Sequence, residues 1–252
     1  ALGNATMGGI DYNIAIGMES QMANAGGQNI AIGYATLKVA DGGETGNIAI
    51  GTSTMDAVNN DGSEYNVAVG NYSLRGGTGL LARNIAIGHQ SMDGTGAVDG
   101  SDNTFIGYQA GSGTWTNVAS NQNVAIGNYS MDGALDGAGN NVAIGYQVGS
   151  ALTTADHNVM IGSQAGENAT TGGYSVIIGK DAGRYHYTAN QNVLIGYSAG
   201  EYIGQGNTGA QHSVVIGKEA GKYATGSYNT FVGSSAGKGG TTSAPYSSGY
   251  NN

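Results

Sequence analysis

A five-residue phrase constrains this chain more than any other feature. It reads Asn123-Val124-Ala125-Ile126-Gly127 and recurs with little change from end to end. Its complete copies begin at Asn13, Asn29, Asn47, Asn66, Asn84, Asn103, Asn123, Asn141, Asn158, Ser175, Asn192, Ser213 and Asn229. Successive motif glycines, starting from Gly3, lie 14, 16, 18, 19, 18, 19, 20, 18, 17, 17, 17, 21 and 16 residues apart. A fixed core joined by connectors of unequal length marks a solenoid whose per-coil insertions fall in loops. Residues 1–252 are therefore expected to form a single repeat array of about fourteen coils, all-β, a parallel β-solenoid. Ala1-Leu2-Gly3 is the tail of one motif and Asn251-Asn252 resembles the start of another, so the chain reads as a window from a longer fibre.

Within the motif, positions two and four are Val, Ile, Leu or Thr, and alternation puts them on one face of a short strand. Position three points the other way and is also apolar: Ala15, Ala31, Ala49, Ala68, Ala86, Phe105, Ala125, Ala143, Met160, Ile177, Leu194, Val215 and Phe231. A strand apolar on both faces is covered on both faces. The Val and Ile pair is expected to face the coil interior, and the position-three face to need a partner, another copy of the chain. Gly127 and its equivalents are expected at a bend with positive φ or a close backbone approach. Asn123 and its equivalents are expected to stack into an amide ladder. At a strand spacing of ~4.8 Å per coil the array would stand roughly 60 Å tall.

A second strand segment is expected after each motif, carrying one of two signatures. One is Ser or Thr followed by Leu or Met, as in Thr36-Leu37, Thr54-Met55, Ser73-Leu74, Ser91-Met92 and Ser130-Met131; the other is Ala-Gly, as in Ala110-Gly111 and Ala199-Gly200. Ala at position three goes with the large later residue, as Ala125 goes with Met131. A large position three goes with Gly, as Phe105 goes with Gly111. Volume compensation between touching sites explains this, since close packing tolerates one large group but not two or none. Amplification from two parent repeats is the alternative. The exceptions are Ala15 with Gln21 and Ala143 with Gly149.

The motif resembles two families. Asn-Val-Ala-Ile-Gly followed three residues later by Ser or Ala is similar to the head repeat of trimeric autotransporter adhesins. Asn103-Thr104-Phe105-Ile106-Gly107-Tyr108-Gln109-Ala110 and Asn141-Val142-Ala143-Ile144-Gly145-Tyr146-Gln147 resemble bacteriophage tail-fibre repeats. The resemblance covers nearly the whole chain. It implies a left-handed β-roll, a homotrimer about one axis, and an extracellular place on a virion fibre or a bacterial cell surface. The connectors here are longer than the adhesin repeat's, and the adhesin stalk and anchor and the fibre's chaperone are absent from the sequence.

The formal charge of −9 with eight Lys and Arg gives no cationic cluster for nucleic acid or an anionic membrane. No cysteine is present, and no apolar run approaches the ~20 residues that span a bilayer. No catalytic constellation stands out, and the chain reads as a non-enzymatic attachment segment, with a purely structural spacer as the alternative and an ice-binding solenoid as a remote one. His157 and His212 share a register with Tyr12, Tyr65, Tyr174 and Tyr228, which marks them as stacked turn residues. No cofactor is expected. Calcium is the one candidate, in the loop holding Asp93, Asp99 and Asp102, although no known calcium-loop spacing is met. Connector aromatics Trp115, Tyr185, Tyr187, Tyr202 and Tyr223 are the candidates for a cell-surface glycan or protein receptor.

Overall fold

The fold was read from a computed structural model that describes residues 12–21, 26–40, 42–203, 205 and 210–240. Ala1-Leu2-Gly3 and Asn251-Asn252 lie outside the described residues. The described chain is all-β, without a helix, and is a parallel β-solenoid. It divides into two compact units. The first comprises residues 1–128 and 134–137, the second residues 129–133 and 138–252.

In the first unit the motif strands are β1 (Ile14–Ile16), β2 (Ile30–Ile32), β3 (Ile48–Ile50), β4 (Val67–Val69), β6 (Ile85–Ile87), β8 (Thr104–Ile106) and β9 (Val124–Ile126). They pair in that order, parallel and in register, so Ala31 sits on Ala49 and Ala86 on Phe105. The long connectors add a small parallel pair that the repeat pattern does not announce, β5 (Leu81–Ala82) with β7 (Gly100–Ser101). In the second unit β10 (Val142–Ile144), β11 (Val159–Ile161), β12 (Val176–Ile178), β13 (Val193–Ile195), β14 (Val214–Ile216) and β15 (Thr230–Val232) stack in the same way.

Two expectations need correction. The segment after the motif is not a strand. Residues two and four places after the motif Gly take positive φ, for example Tyr72 at 59° and Leu74 at 47°. An extended run is impossible with left-handed residues two apart, so the segment coils through successive turns. It still bonds from coil to coil: Leu74 N donates to Ser91 O at 2.9 Å and Gly183 N to Ala199 O at 2.9 Å.

The second correction reverses the faces of the strand. Position three is the interior: Ala31, Ala49, Ala68, Ala86, Phe105, Ala125, Met160, Ile177 and Leu194 are fully buried. Positions two and four point outward and stay half-buried or exposed. A coil this narrow admits one inward side chain per three-residue strand, and the pair of β-branched residues is left outside.

The interior shows the volume exchange directly. A Cβ on Gly111 would lie 2.8 Å from Phe105 Cδ1, and one on Gly200 would lie 2.9 Å from Leu194 Cδ2. Leu37, Met55, Leu74, Met92 and Met131 are fully buried at the equivalent positions. The Ala143–Gly149 exception is filled by neighbours: a Cβ on Gly149 would lie 2.8 Å from Met160 Cε and 2.9 Å from Leu152 Cδ1. Gln21, the other exception, is buried, and its amide has no partner among the described residues.

Asn at position one builds the amide ladder, inside the coil. Asn84 Oδ1 accepts from Asn103 N at 3.0 Å, while Asn84 Nδ2 donates to Gly100 O at 2.7 Å and to Asn66 Oδ1 at 3.0 Å. The same bonds repeat at Asn66, Asn103 and Asn158. Buried amides are tolerable only when satisfied, and here the main chain of each coil satisfies its neighbour's side chain. Hydroxyls add a parallel set: Ser73 Oγ donates to Ala86 O at 2.7 Å and Ser91 Oγ to Phe105 O at 2.8 Å.

The motif Gly serves both expected purposes. Gly51 has φ +142°, and a Cβ there would lie 2.5 Å from Gly70 O on the next coil.

Candidate functional site

The outward side of the strands is a partly exposed apolar surface. Ile85 and Ile87 are each 37% exposed, as are Ile126 and Ile144. Because the register is strict, these side chains form rows within each unit that are aliphatic except at Thr104 and Thr230. Tyrosines directly after the motif Gly border the rows: Tyr34 and Tyr108 in the first unit, Tyr146 and Tyr197 in the second, all exposed. Contiguous apolar surface rimmed by amphipathic rings is the character of an association surface.

At the strand entry lies the register shared by histidine and tyrosine. These residues take left-handed φ on the turn into the strand, 59° at His157 and 56° at His212. Their rings stack on the next coil, His157 on Tyr174 at 4.8 Å and His212 on Tyr228 at 4.9 Å. Stacking along the array accounts for both histidines.

The connector aromatics do not form one site. Trp115 is only 3% exposed, so its reading as a surface binding residue is corrected. It packs edge-on to Phe105, centroids 6.2 Å apart, over Gly100, whose missing side chain makes the room. The connector there is long enough to fold back and roof its own coil.

Tyr185, Tyr202 and Tyr223 are half-buried and stack on consecutive coils at 4.9 and 5.1 Å. The Arg184 guanidinium lies over the Tyr185 ring at 5.5 Å and the Lys222 ammonium over Tyr223 at 5.7 Å. Ring faces that a sugar would need are thus shared with neighbouring rings and cations. Tyr187 tilts against Tyr185 at 6.4 Å. Ion pairs run beside the stack, Arg184 to Glu167 at 2.5 Å and Lys222 to Glu201 at 2.9 Å.

The calcium candidates are placed apart, each with its own partner. Asp93 pairs with Arg75 at 3.1 Å, Asp99 Oδ1 accepts from Leu80 N at 2.7 Å, and Asp102 pairs with Arg83 at 2.7 Å. Among the described residues no group of three or more His, Cys, Asp or Glu side chains is arranged to hold a metal ion.

A groove of about 390 Å³ lies between two successive connectors of the first unit, lined by Ala97, Val98, Asp99, Thr116, Asn117 and Ala119. Asp136 fixes one wall: its Oδ1 accepts from Asn117 N at 2.9 Å and Val118 N at 2.8 Å. The Asn117 side chain donates from Nδ2 to Asp136 Oδ2 at 3.1 Å, and this bond, ahead of the main-chain ones, holds the carboxyl below the usual range. The groove offers carboxylate, hydroxyl and amide groups beside the exposed Val118 side chain. No single residue or motif in the sequence marks it. The available signal was the run of long motif spacings, 19 and 20 residues, on either side of Phe105. In the second unit Asp132 is half-buried, and burial pushes its carboxyl up to about 6.

Compared with protein-family models and with curated proteins, the chain matches none.

Proposed function

We propose that this chain is a non-enzymatic segment of a fibre that associates with two further copies of itself and mediates attachment at a virion or bacterial cell surface. The observation that carries the reading is the outward aliphatic row. Val and Ile at positions two and four are left half-buried or exposed, although the interior is already closed by position three. Burying such rows against identical rows favours association by about 25 cal/mol per Å² of apolar surface. Strict register makes the surface self-complementary along the coils. The number three and the extracellular setting rest on the resemblance of the repeat to adhesin heads and tail fibres. Attachment would be the work of the connectors, where weak sites gain from multiplication across a trimer. The groove at Asp99 and Asn117 is the candidate for a polar ligand such as a glycan.

Molar mass in solution tests the association. Light scattering is expected to give three times the 25.2 kDa of the chain. Ile85→Asp with Ile87→Asp is expected to lower it while the β-sheet circular dichroism persists. A monomeric wild-type chain would overturn the reading. A spacer role is favoured instead if the trimer forms but the chain stays silent in glycan-array and cell-binding assays.

A further inference from the structure

The amide ladder of the second unit has two substituted rungs, Ser175 and Ser213, and a buried histidine stands beside the first. In regular rungs one Asn Nδ2 hydrogen goes to a main-chain carbonyl and the other to the preceding Asn Oδ1, as in Asn158 to Gly172 O at 2.9 Å and to Asn141 Oδ1 at 3.1 Å. Ser175 breaks this pattern. Its Oγ accepts from Asn192 N at 3.2 Å, but it brings no second acceptor for Asn192 Nδ2. That hydrogen points instead to His186 Nε2, 3.1 Å away.

The roles in this contact are fixed by its surroundings. Asn192 Oδ1 accepts from Ser213 N at 2.9 Å and Asn192 Nδ2 donates to Ala210 O at 2.9 Å, so the amide cannot be turned over. Nδ2 therefore donates to the imidazole, Nε2 accepts, and the ring proton sits on Nδ1. His186 is 1% exposed, and its Nδ1 has no hydrogen-bond partner among the described residues. Leu152 and Ala169 occupy the same place, seven residues after the motif Gly, in the two preceding coils, and Ile203 occupies it in the next. The imidazole is thus a polar ring in an apolar column, held by one bond that the Ser175 rung makes available.

We propose that His186 is an acid-sensitive pin of the ladder: neutral, it completes the rung that Ser175 leaves short, and protonated, it turns that contact into two donors facing each other and opens the coils of β12 and β13. Ionisable residues neighbour it in its own coil and at nearby places of the adjacent coils. Lys180, Asp181, Arg184, Tyr185 and Tyr187 belong to its own coil, Glu167 to the preceding one, and Glu201 and Tyr202 to the following one. The acidic ones are held outside the column in pairs with Lys180, Arg184 and Lys222. Burial lowers the proton affinity of the ring, to a pKa of about 4.

The sign follows from linkage. The opened coil takes up a proton near the ordinary value of 6.5, while the closed coil resists until about 4. Closure is therefore complete above that window and weakens as pH falls through it. Amide hydrogen exchange of the intact chain, corrected for intrinsic rates, is the test. Between pH 7 and pH 5 the opening constant of β12 and β13 is expected to rise on the order of 20-fold, and that of β10 and β11 to stay nearly level. His186→Leu, a side chain Leu152 shows the column accepts, should abolish the local rise. Ser175→Asn with His186→Ala rebuilds the regular rung and should abolish it too, which keeps the test alive if the leucine variant folds poorly. Absence of a local rise in the wild type, or an equal rise in either folded variant, would overturn the proposal.

Discussion

Most coils of the first unit carry their bulk on the turn, Phe105 with Gly111 excepted, and most coils of the second carry it on the strand, Ala143 with Gly149 excepted. Ala31, Ala49, Ala68 and Ala86 face Leu37, Met55, Leu74 and Met92; in the second unit Met160, Ile177, Leu194 and Val215 go with Gly166, Gly183, Gly200 and Gly221. The backbone does not change between them. The turn residue has φ 49° at Leu37 and 52° at Met55, against 56° at Gly166 and at Gly200. A side chain in that left-handed region costs roughly 1–2 kcal/mol, so the first arrangement carries strain that the second avoids. The second also places its mass on a strand, where branched residues fit. One narrow interior therefore has two fillings, and the frame that holds both is the motif Gly and the amide ladder.

If the frame is common, damage to it should not distinguish the units. Gly51→Ala in the first and Gly196→Ala in the second place a Cβ 2.5 and 2.6 Å from the next coil's carbonyl oxygen, at φ +142° and +134°. Each should destabilise its own unit by about 4 kcal/mol or more, measured by denaturant unfolding followed with local exchange. A mild effect in one unit alone would break the comparison.

Next in size is Asn84→Ala. It strands Asn103 N and Gly100 O in a buried setting and should cost about 2–4 kcal/mol. Asn84→Ser should cost about half as much, because Ser175 and Ser213 already act as acceptors for the following Asn N at 3.2 Å. Equal losses for Ala and Ser would mean that the ladder contributes shape and not hydrogen bonds.

The smallest expected effect is electrostatic and confined to the second unit. The folded-state Asp132 carboxyl titrates near 6 against an ordinary 3.8, so the folded chain binds the proton first. Stability is expected to fall as pH rises from 3.8 to about 6 and to stay lower above. Asp132→Asn should stabilise the chain at pH 7 by about 1–2 kcal/mol, after allowing for solvent screening, and leave it unchanged at pH 4. Thermal unfolding at the two pH values checks this.

The repeat was legible because each strand is three residues long and lies wholly inside its motif. Asn, the motif Gly and the Phe105–Gly111 exchange were legible for the same reason: thirteen copies in one chain act as their own comparison. The direction of the strand was not. Alternation shows that two faces exist, and size suggested that Val and Ile lie within. The inside width of a coil, set by left-handed turns at residues such as Tyr72 and Leu74, decided otherwise. Trp115 was misplaced because connectors were taken as surface, whereas Gly100 lets this one roof the core. His186 looked like one histidine among four. Its place became visible only once Ser175 and Asn192 were seen as consecutive rungs.

The two-fillings account is tested most directly by a double-mutant cycle on Leu194 and Gly200. Leu194→Ala alone leaves a void and Gly200→Leu alone overfills the coil, each at a cost of about 2–4 kcal/mol in denaturant unfolding. Combined, they recreate the arrangement of Ala31 with Leu37, and the double variant should be more stable than the sum predicts by about 1–3 kcal/mol. Simple additivity would contradict the claim that the two kinds of coil are one interior with its volume moved.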